Sequence, residues 1–419
     1  MPFRPLYRAA QCYSNKQQGK IAVYWKQVKL TLLFAVGVLA LAPLSAVRAE
    51  EGKIAEKEQG LCAVAEQAMR EASRIRGLKS KGPVPCVVSS RAEIEQFLRT
   101  TIKEKLPPHK LQAEQLVYRA VGLIPDDYNY TEGLIELYLS QIGGYYDPEK
   151  KHFVMADWMP SELQEAVAVH ELTHALQDQY INLEQLLDPK NDNGDELLAY
   201  SALVEGDATL TILDSQRRRT AQSSSVASQD LPQVPMALKA ILLFPYTYGL
   251  KFARELLEHG GYKRINQALR DPPQSSREIL HPAEYLSNTQ VRQIPRLEEL
   301  DGVSDGYSPE YSDTLGEFSI KALLDTDASG SVTSAQGAAG WVGDRIGVFP
   351  VQNKERLISW LTRWESAADA QEFFKAYKKL LEARYGKKIS AARIQLTPIK
   401  ALELSIKGSS VSIRFYITQ

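Results

Sequence analysis

Cysteine is scarce in this sequence, with three residues in 419. Three thiols are too few for a disulfide scaffold, and a structural zinc site made only of cysteines needs four. An excess of basic residues is also lacking, since 50 lysines and arginines face 51 acidic residues and the net charge is -1. We therefore expect no nucleic-acid partner, because no basic excess is present to neutralise phosphates. A composition of 44% hydrophobic and 24% charged residues excludes a wholly disordered chain and a multi-span membrane protein.

The first 49 residues have the pattern of a secretory signal peptide. Residues 1–29 carry six basic residues and no acidic residue, and residues 30–47 form an apolar run. Val47 and Ala49 occupy the -3 and -1 positions of a cleavage site before an acidic start. An uncleaved membrane anchor is the alternative, because a run of 18 apolar residues just spans a bilayer, although its proline and small residues favour cleavage. In both cases we expect an exported protein that is periplasmic, secreted or anchored facing outside.

Export would place the cysteines of the mature chain in an oxidising compartment. Cys12 lies in the leader, which leaves Cys62 and Cys86 as a pair in the mature chain. Thiols of exported proteins tend to oxidise, so we predict a Cys62–Cys86 disulfide between the first helix and the segment after it. The alternative is two reduced, buried cysteines.

Most of the mature chain has helical periodicity, and its length suggests two or three domains. We expect an α+β, mainly helical fold with three parts. These are an N-terminal helical segment at 50–110, a core at 111–336 and a C-terminal α+β segment at 337–419. Within the core, two short strand-like runs flank Asp147-Pro148 and predict a hairpin.

Local signals predict further elements of the core. Helix caps, proline positions and loop-forming composition are the signals used. In chain order, they predict a helix at 161–180 capped by Ser161, a surface loop at 221–235, helices within 237–269 interrupted by Pro245 and by Gly260-Gly261, and a helix at 311–325.

The segment His170-Glu171-Leu172-Thr173-His174 lies inside the helix predicted at 161–180. Residues i and i+4 share a helix face, so both imidazoles can reach one zinc ion. Glu171 lies about 100° further round the helix and can address a water molecule at that zinc. The alternative is a pair of histidines without a metal.

A catalytic zinc site needs a third protein ligand and one open position. No histidine follows His174 at short spacing, which favours a carboxylate from a later helix. Glu205 is the single charge in an apolar helical stripe, and burying a lone carboxylate is costly unless it is paired or binds a metal. The alternative is an exposed or salt-bridged glutamate. Gly206 would allow close approach to a neighbouring helix, and Asp207 is either a solvated acid or the acceptor of a ligand histidine's other ring N–H.

These residues carry a family resemblance. His-Glu-x-x-His, followed 31 residues after His174 by Glu-Gly-Asp-Ala, resembles the glutamate-zincin class of metallopeptidases. More narrowly, it is similar to a group of exported bacterial metallopeptidases that have a Tyr-Asp-Pro hairpin before the motif. Segments 144–148, 279–285 and 340–345 match that group as well, so the resemblance covers roughly residues 115–350. Thermolysin-like members differ, because they carry an Asp four residues after the ligand Glu, where this chain has Thr209.

The resemblance implies a zincin-like core and a zinc cofactor held by His170, His174 and Glu205. It implies hydrolysis of a peptide or protein substrate, with Glu171 as the general base. In zincins, the strand before the active-site helix binds an extended peptide. Residues 151–155 occupy the corresponding position before the helix predicted at 161–180. We expect a membrane partner only if the N-terminal segment is an uncleaved anchor.

Peptide hydrolysis also needs a hydrogen-bond donor for the developing oxyanion. His281, Tyr285 and Arg345 are candidates because they lie in the later matching segments, and Tyr146 is a fourth. Each has an alternative, purely structural role. Two other functions stay open: a non-proteolytic zinc-binding or assembly protein, which would not need Glu171, and a zinc hydrolase of a non-peptide bond.

Overall fold

Helices and two separate β-sheets make up the computed structural model, which describes residues 60–105, 108–188, 192–217, 234–300, 308–326, 332–351, 355–390 and 393–418. The expected α+β, mainly helical fold class is confirmed. The predicted signal peptide and residues 221–233 of the predicted loop lie outside the described residues. No described helix is both long enough and apolar enough to cross a membrane. The described residues belong to one compact unit, residues 55–419, and the domain boundaries at 110 and 336 stay predictions.

The helices are α1 Ala65–Arg76, α2 Arg91–Lys105, α3 Pro108–Val121, α4 Tyr130–Gln141, α5 Ser161–Tyr180, α6 Leu183–Leu186, α7 Gly194–Arg217, α8 Met236–Ala268, α9 Ser276–Leu280, α10 Pro282–Ser287, α11 Gly316–Leu324, α12 Ser334–Ala338 and α13 Ala367–Tyr385. The strands are β1 Cys86–Ser89, β2 Gly144–Asp147, β3 His152–Ala156, β4 Tyr311–Asp313, β5 Trp341–Pro350, β6 Glu355–Trp364, β7 Ile394–Thr397, β8 Lys400–Lys407 and β9 Ser410–Thr418.

The smaller sheet contains the predicted hairpin. Its strand order is β1-β3-β2, with β1 parallel and β2 antiparallel to β3. The prediction that residues 151–155 form an open strand for substrate is wrong, because β3 is the central strand and pairs on both sides. Among the described strands, β2 forms the edge of this sheet on the side of α5. The N–H of Ala156 donates to the carbonyl of Gly143, so by alternation the backbone groups of Gly144 and Tyr146 point away from β3.

Helix α5 is apolar on the side that faces the rest of the fold. Ala168, Leu172 and Ala175 pack in one cluster with Ala65 and Ala68 of α1 and with residues of the small sheet. Helix α1 therefore packs on the side of α5 that does not carry the two histidines. Ser161 is the first helical residue, and the N-cap is Pro160 without a side-chain hydrogen bond. The predicted capping role of Ser161 is wrong.

Helices α7 and α8 cross at two glycines. A methyl group added to Gly206 would lie 2.1 Å from the carbonyl oxygen of Gly249, and one added to Gly249 would lie 2.1 Å from that of Ala202. The predicted close approach at Gly206 is confirmed. Helix α8 continues through Pro245, and only Gly260 and Gly261 leave the helical conformation. The predicted interruption at Gly260-Gly261 is therefore confirmed. The predicted interruption at Pro245 is wrong, because buried packing on both sides of the proline holds the helix across the lost hydrogen bond.

A test of this crossing is Gly206→Ala. Overpacking costs about 1–3 kcal/mol, which outweighs a helix-propensity gain of up to about 1 kcal/mol. We expect a net loss in the free energy of unfolding, measured by urea denaturation. Gly82→Ala is the control, because its added methyl group meets nothing within 4 Å. Equal stability of the Gly206→Ala protein and the wild type would contradict the close crossing.

The larger sheet is antiparallel, with the order β4-β5-β6-β9-β8-β7. Residues 311–313 form its edge strand β4, so the helix predicted at 311–325 is wrong over its first residues. Helix α11 begins only at Gly316, whose φ is 80°. An added methyl group at Gly316 would overlap Asp195. A left-handed residue in contact with a buried side chain sets the boundary, and local periodicity does not reveal it.

Candidate metal centre

Three ligand-type atoms converge between α5 and α7. The Nε2 atom of His170 lies 3.0 Å from Oε2 of Glu205, and Nε2 of His174 lies 3.4 Å from the same oxygen. The two imidazole nitrogens are 3.2 Å apart. Zinc bonds of about 2.0–2.1 Å in tetrahedral geometry place ligand atoms about 3.3 Å from one another. Within the described part of the chain, this is the one group of three or more His, Cys, Asp or Glu side chains with such convergence.

Helix geometry explains how the three side chains meet. His170 and His174 are one turn apart on α5 and therefore share a face. Glu205 lies on α7, where Ala202 and Ala208 of the predicted stripe are fully buried. The side chains of His170, His174 and Glu205 are 14%, 10% and 22% exposed. The cluster is thus mostly desolvated but still open to a small molecule.

Gln177 determines which nitrogen of His174 carries the proton. Its amide nitrogen donates to the carbonyl of Val204 at 3.0 Å and to Oδ2 of Asp207 at 2.8 Å. Both partners are acceptors, so the amide oxygen must face His174, where it lies 2.8 Å from Nδ1. Nδ1 therefore carries the hydrogen, and a neutral His174 directs the lone pair of Nε2 towards Glu205 and His170. This orientation fits metal ligation, because it leaves Nε2 of His174 to face Nε2 of His170 and the Glu205 carboxylate.

The electrostatics of the cluster also favour a cation. Burial lowers the pKa of His174, but Glu205 first, and then Glu171 and Gln177, together raise it by more, to about 9. Burial raises the pKa of Glu205, and the two histidines, His174 first, lower it well below its usual range. Glu205 is therefore anionic, and two ring nitrogens and one carboxylate form the donor set that zinc accepts.

Glu171 lies beside the cluster and contacts β2, the edge strand of the small sheet. The backbone N–H of Tyr146 on β2 donates to Oε2 of Glu171 at 3.0 Å. Burial raises the pKa of Glu171, and the neighbouring histidines lower it by less. The carboxylate is thus held at the junction of the ligand helix and the outward-facing backbone of β2.

Strand β2 is held against α5 by Asp178. The hydroxyl of Tyr146 and the ammonium group of Lys151 each lie 2.7 Å from Oδ2 of Asp178. Oδ1 of Asp178 accepts the N–H of Leu183. The Tyr146 hydroxyl is therefore bonded to Asp178, and it is the backbone N–H of Tyr146 that contacts Glu171.

The other predicted oxyanion donors have partners elsewhere. The Nε2 atom of His281 lies 2.8 Å from Oε1 of Glu317. This hydrogen bond is the main cause of the raised pKa of His281. The hydroxyl of Tyr285 donates to the carbonyl of Asp271. The structure does not place these two residues in hydrogen bonds with the cluster, and their catalytic roles stay predictions. Arg345 likewise donates to the carbonyl of Asp192.

Asp207 is not the direct partner of a ligand histidine. Gln177 stands between Asp207 and His174, which corrects the predicted contact. Asp207 instead forms an ion pair with Arg76, with 2.8 Å between Nε and Oδ1, and both side chains are fully buried. Thr209, the departure from the thermolysin-like pattern, does not weaken this arrangement, because Gln177 supplies the acceptor for Nδ1.

Three residues of this neighbourhood are not among the sequence predictions of site residues. Gln177 is three residues after His174, and this i,i+3 spacing is a signal that could have found it. Arg76 has no such signal, because only the packing of α1 brings it to Asp207. Tyr246 on α8 is 44% exposed, and its ring stacks 6.4 Å from that of His170. The charge of Glu205, followed by burial, raises the pKa of Tyr246.

Comparison with known families gives a match in the C-terminal part of the chain. Residues 306–415 match a family model described as a domain of unknown function (DUF8575). The matched segment contains β4 to β8 and most of β9, and it does not include the metal-ligand candidates. No curated protein and no solved structure matches the chain. The cluster of His170, His174 and Glu205 is therefore interpreted from its own geometry.

Proposed function

We propose that the protein is a zinc-dependent hydrolase that cleaves peptide bonds outside the cytoplasm. The observation that carries this proposal is the convergence of His170, His174 and Glu205, with Glu171 next to them on the same helix. A site that only stabilised the fold would have four protein ligands and no need for an adjacent carboxylate. Three protein ligands would leave one coordination position open, as hydrolysis requires.

Each residue has a distinct part in the proposed reaction. Zinc bound at this site would supply Lewis-acid polarisation and bring the pKa of a water molecule towards neutrality. Glu171 takes the proton of the attacking water and passes it to the leaving amine. The Tyr146 N–H orients Glu171 before the substrate arrives. The buried neighbours of the cluster exclude competing water from the carboxylate.

The free edge of β2 supports a peptide as the substrate. The backbone groups of Gly144 and Tyr146 point away from β3, and Tyr146 already contacts Glu171. An extended peptide that adds to this edge would form main-chain hydrogen bonds beside the proposed base. An isolated ester or sugar has no backbone to pair with it, so the edge favours peptides over other bonds.

The disulfide supports a location outside the cytoplasm. The sulfur atoms of Cys62 and Cys86 are bonded to each other, with 5.7 Å between the Cα atoms. Disulfides persist in oxidising compartments such as the periplasm and the extracellular space. This bond and the basic, then apolar leader both favour export.

Metal-dependent cleavage of an unfolded protein tests the proposal. The mature chain should contain about one zinc ion and cleave reduced, denatured casein, as measured by the release of amine groups. Removal of zinc with a chelator should lower the rate at least about 100-fold, since a metal-activated water supplies much of the rate acceleration, and added zinc should restore it. A zinc-loaded protein that cleaves no peptide would contradict the proposal. Cleavage of ester substrates alone would favour a zinc hydrolase of a non-peptide bond.

A further inference from the structure

A chain of buried polar contacts leads from the cluster to the N-terminal segment. His174 contacts Gln177, Gln177 contacts Asp207, and Asp207 is paired with Arg76. Arg76 is the last residue of α1, and its second terminal nitrogen donates to Oδ1 of Asn266 at 2.7 Å. The N-terminal segment, defined here as residues 60–89, therefore reaches the back of a ligand histidine.

A disulfide closes the loop that contains Arg76. Cys62 precedes α1, Cys86 begins β1, and the two are 24 residues apart. Strand β1 pairs in parallel with β3, with Cys86 opposite Phe153. Both ends of the loop are thus anchored to the small sheet, and α1 between them packs on α5 through Ala65 and Ala68.

We propose that the N-terminal segment is a working part of the metal centre. Arg76 acts as a positioning residue for His174, and the Cys62–Cys86 disulfide sets the affinity for metal by holding Arg76 in place. This inference rests on the proposed zinc site and adds a form of regulation to it. Metal affinity should be high when the two cysteines are joined and lower when they are not.

The orientation of the Gln177 amide is the physical link. Arg76 holds the Asp207 carboxylate in a fully buried ion pair, and in that position the carboxylate accepts a hydrogen bond from the Gln177 amide nitrogen at 2.8 Å. Loss of Arg76 would leave this buried carboxylate without its paired charge, which favours movement of the group. Gln177 would then lose one of the two contacts that fix its amide nitrogen, and its oxygen would be held less firmly against Nδ1 of His174. The ring of His174 would be less well oriented, and zinc would bind more weakly.

The disulfide affects Arg76, which lies at the far end of this chain of contacts from His174. A dithiol reductant would convert the bond to two thiols while it is itself oxidised to a disulfide. The C-terminal end of the loop would stay paired with β3, whereas its N-terminal end would lose its covalent link to the small sheet. The buried face of α1 consists of three alanines, Ile75 and Arg76 itself. The Arg76–Asp207 pair would form in a smaller fraction of molecules.

The test is a double-mutant cycle on metal affinity, measured by competition with a chromogenic zinc chelator. Serine variants replace the reduced form, because thiol reductants bind zinc. We expect Arg76→Gln to weaken zinc binding about 10-fold or more, within the 10–100-fold range for outer partners of metal ligands. Arg76→Lys, which keeps the charge, should restore part of the loss. Cys62→Ser with Cys86→Ser should weaken binding in the wild type and add little in the Arg76→Gln background.

A matched control separates positioning from general stability. Arg277 is also buried and ion-paired, with Glu284 and Glu365, and Arg277→Gln should lower thermal stability without changing zinc affinity. The visible spectrum of the cobalt-loaded protein should change in Arg76→Gln and not in Arg277→Gln, because only the former alters a ligand. If Arg76→Gln does not fold, the same cycle is run with Gln177→Ala, which interrupts the next contact.

Two results would overturn the inference. One is an unchanged zinc affinity in the Arg76 and cysteine variants, and the other is effects that simply add, since the disulfide would then act independently of Arg76. Either result leaves the proposed hydrolysis intact if the wild type cleaves peptides. Conversely, zinc affinity that follows the expected cycle in a protein that cleaves nothing would support the inference and reject the proposed function.

Discussion

The Glu171→Gln protein is expected to keep its zinc and to lose peptide hydrolysis by a factor of about 10²–10⁴, the usual contribution of a general base. The amide has the same shape as the carboxylate and still accepts the N–H of Tyr146, so β2 keeps its position. It cannot take a proton from water, because a neutral amide is not a base at ordinary pH. The measurement is kcat on one peptide substrate, together with the zinc content of the same sample.

The control for this variant lies on the same helix. Glu162 is exposed in the first turn of α5, so Glu162→Gln removes the same charge without touching the cluster and should leave the rate unchanged. A Glu171→Gln protein with undiminished activity would show that another group is the base. A protein that also loses its zinc would show that Glu171 acts on the metal site, and it would reject the proposed division of roles.

Zinc should be largely lost from Glu205→Ala protein. Two imidazoles alone would then hold the metal, and the negative charge that balances it would be absent. Replacement of an outer partner already costs about 10–100-fold in metal affinity, so we expect the loss of a direct ligand to cost more than about 100-fold. The measurement is zinc per chain after dialysis against a weak chelator, with activity measured alongside.

Asp214 provides the comparison for Glu205, because it lies on the same helix and bonds to the hydroxyl of Tyr262 away from the cluster. Asp214→Asn should keep about one zinc per chain. A Glu205→Ala protein that binds as much zinc as the wild type would place the third ligand elsewhere. Absence of zinc from the wild type itself, after loading with excess metal, would reject the metal centre and the function built on it.

Local patterns in the sequence predict those parts of the structure that depend on neighbours along one helix. The predicted helix at 161–180 has the limits of α5, because its apolar period and its length are local properties. The meeting of His170 and His174 follows from one helical turn. Glu205 stood out as one charge in an apolar stripe, and Ala202 and Ala208 of that stripe are fully buried. The hairpin around Asp147 was visible from turn residues between two short runs.

Contacts between distant segments account for what the sequence did not reveal. Tyr311 belongs to a strand because its backbone pairs with β5, a partner that local periodicity cannot indicate. Pro245 stays inside a helix because tertiary packing offsets the missing hydrogen bond. The choice of β2 as the free edge depends on β1 pairing with the other side of β3. A parallel partner more than fifty residues earlier leaves no signal in the hairpin itself.

The sequence by itself determined the donor atoms of the candidate site, because an i,i+4 pair and a lone acid in an apolar stripe are properties of single helices. Only the tertiary structure decided how these donors are supported. It turns the amide of Gln177 towards His174, places Asp207 behind that amide, and brings Arg76 from the N-terminal segment to balance the buried charge. The reason is physical: spacing along a helix sets direction, whereas the partner of a buried polar group is set by whichever segment packs against it.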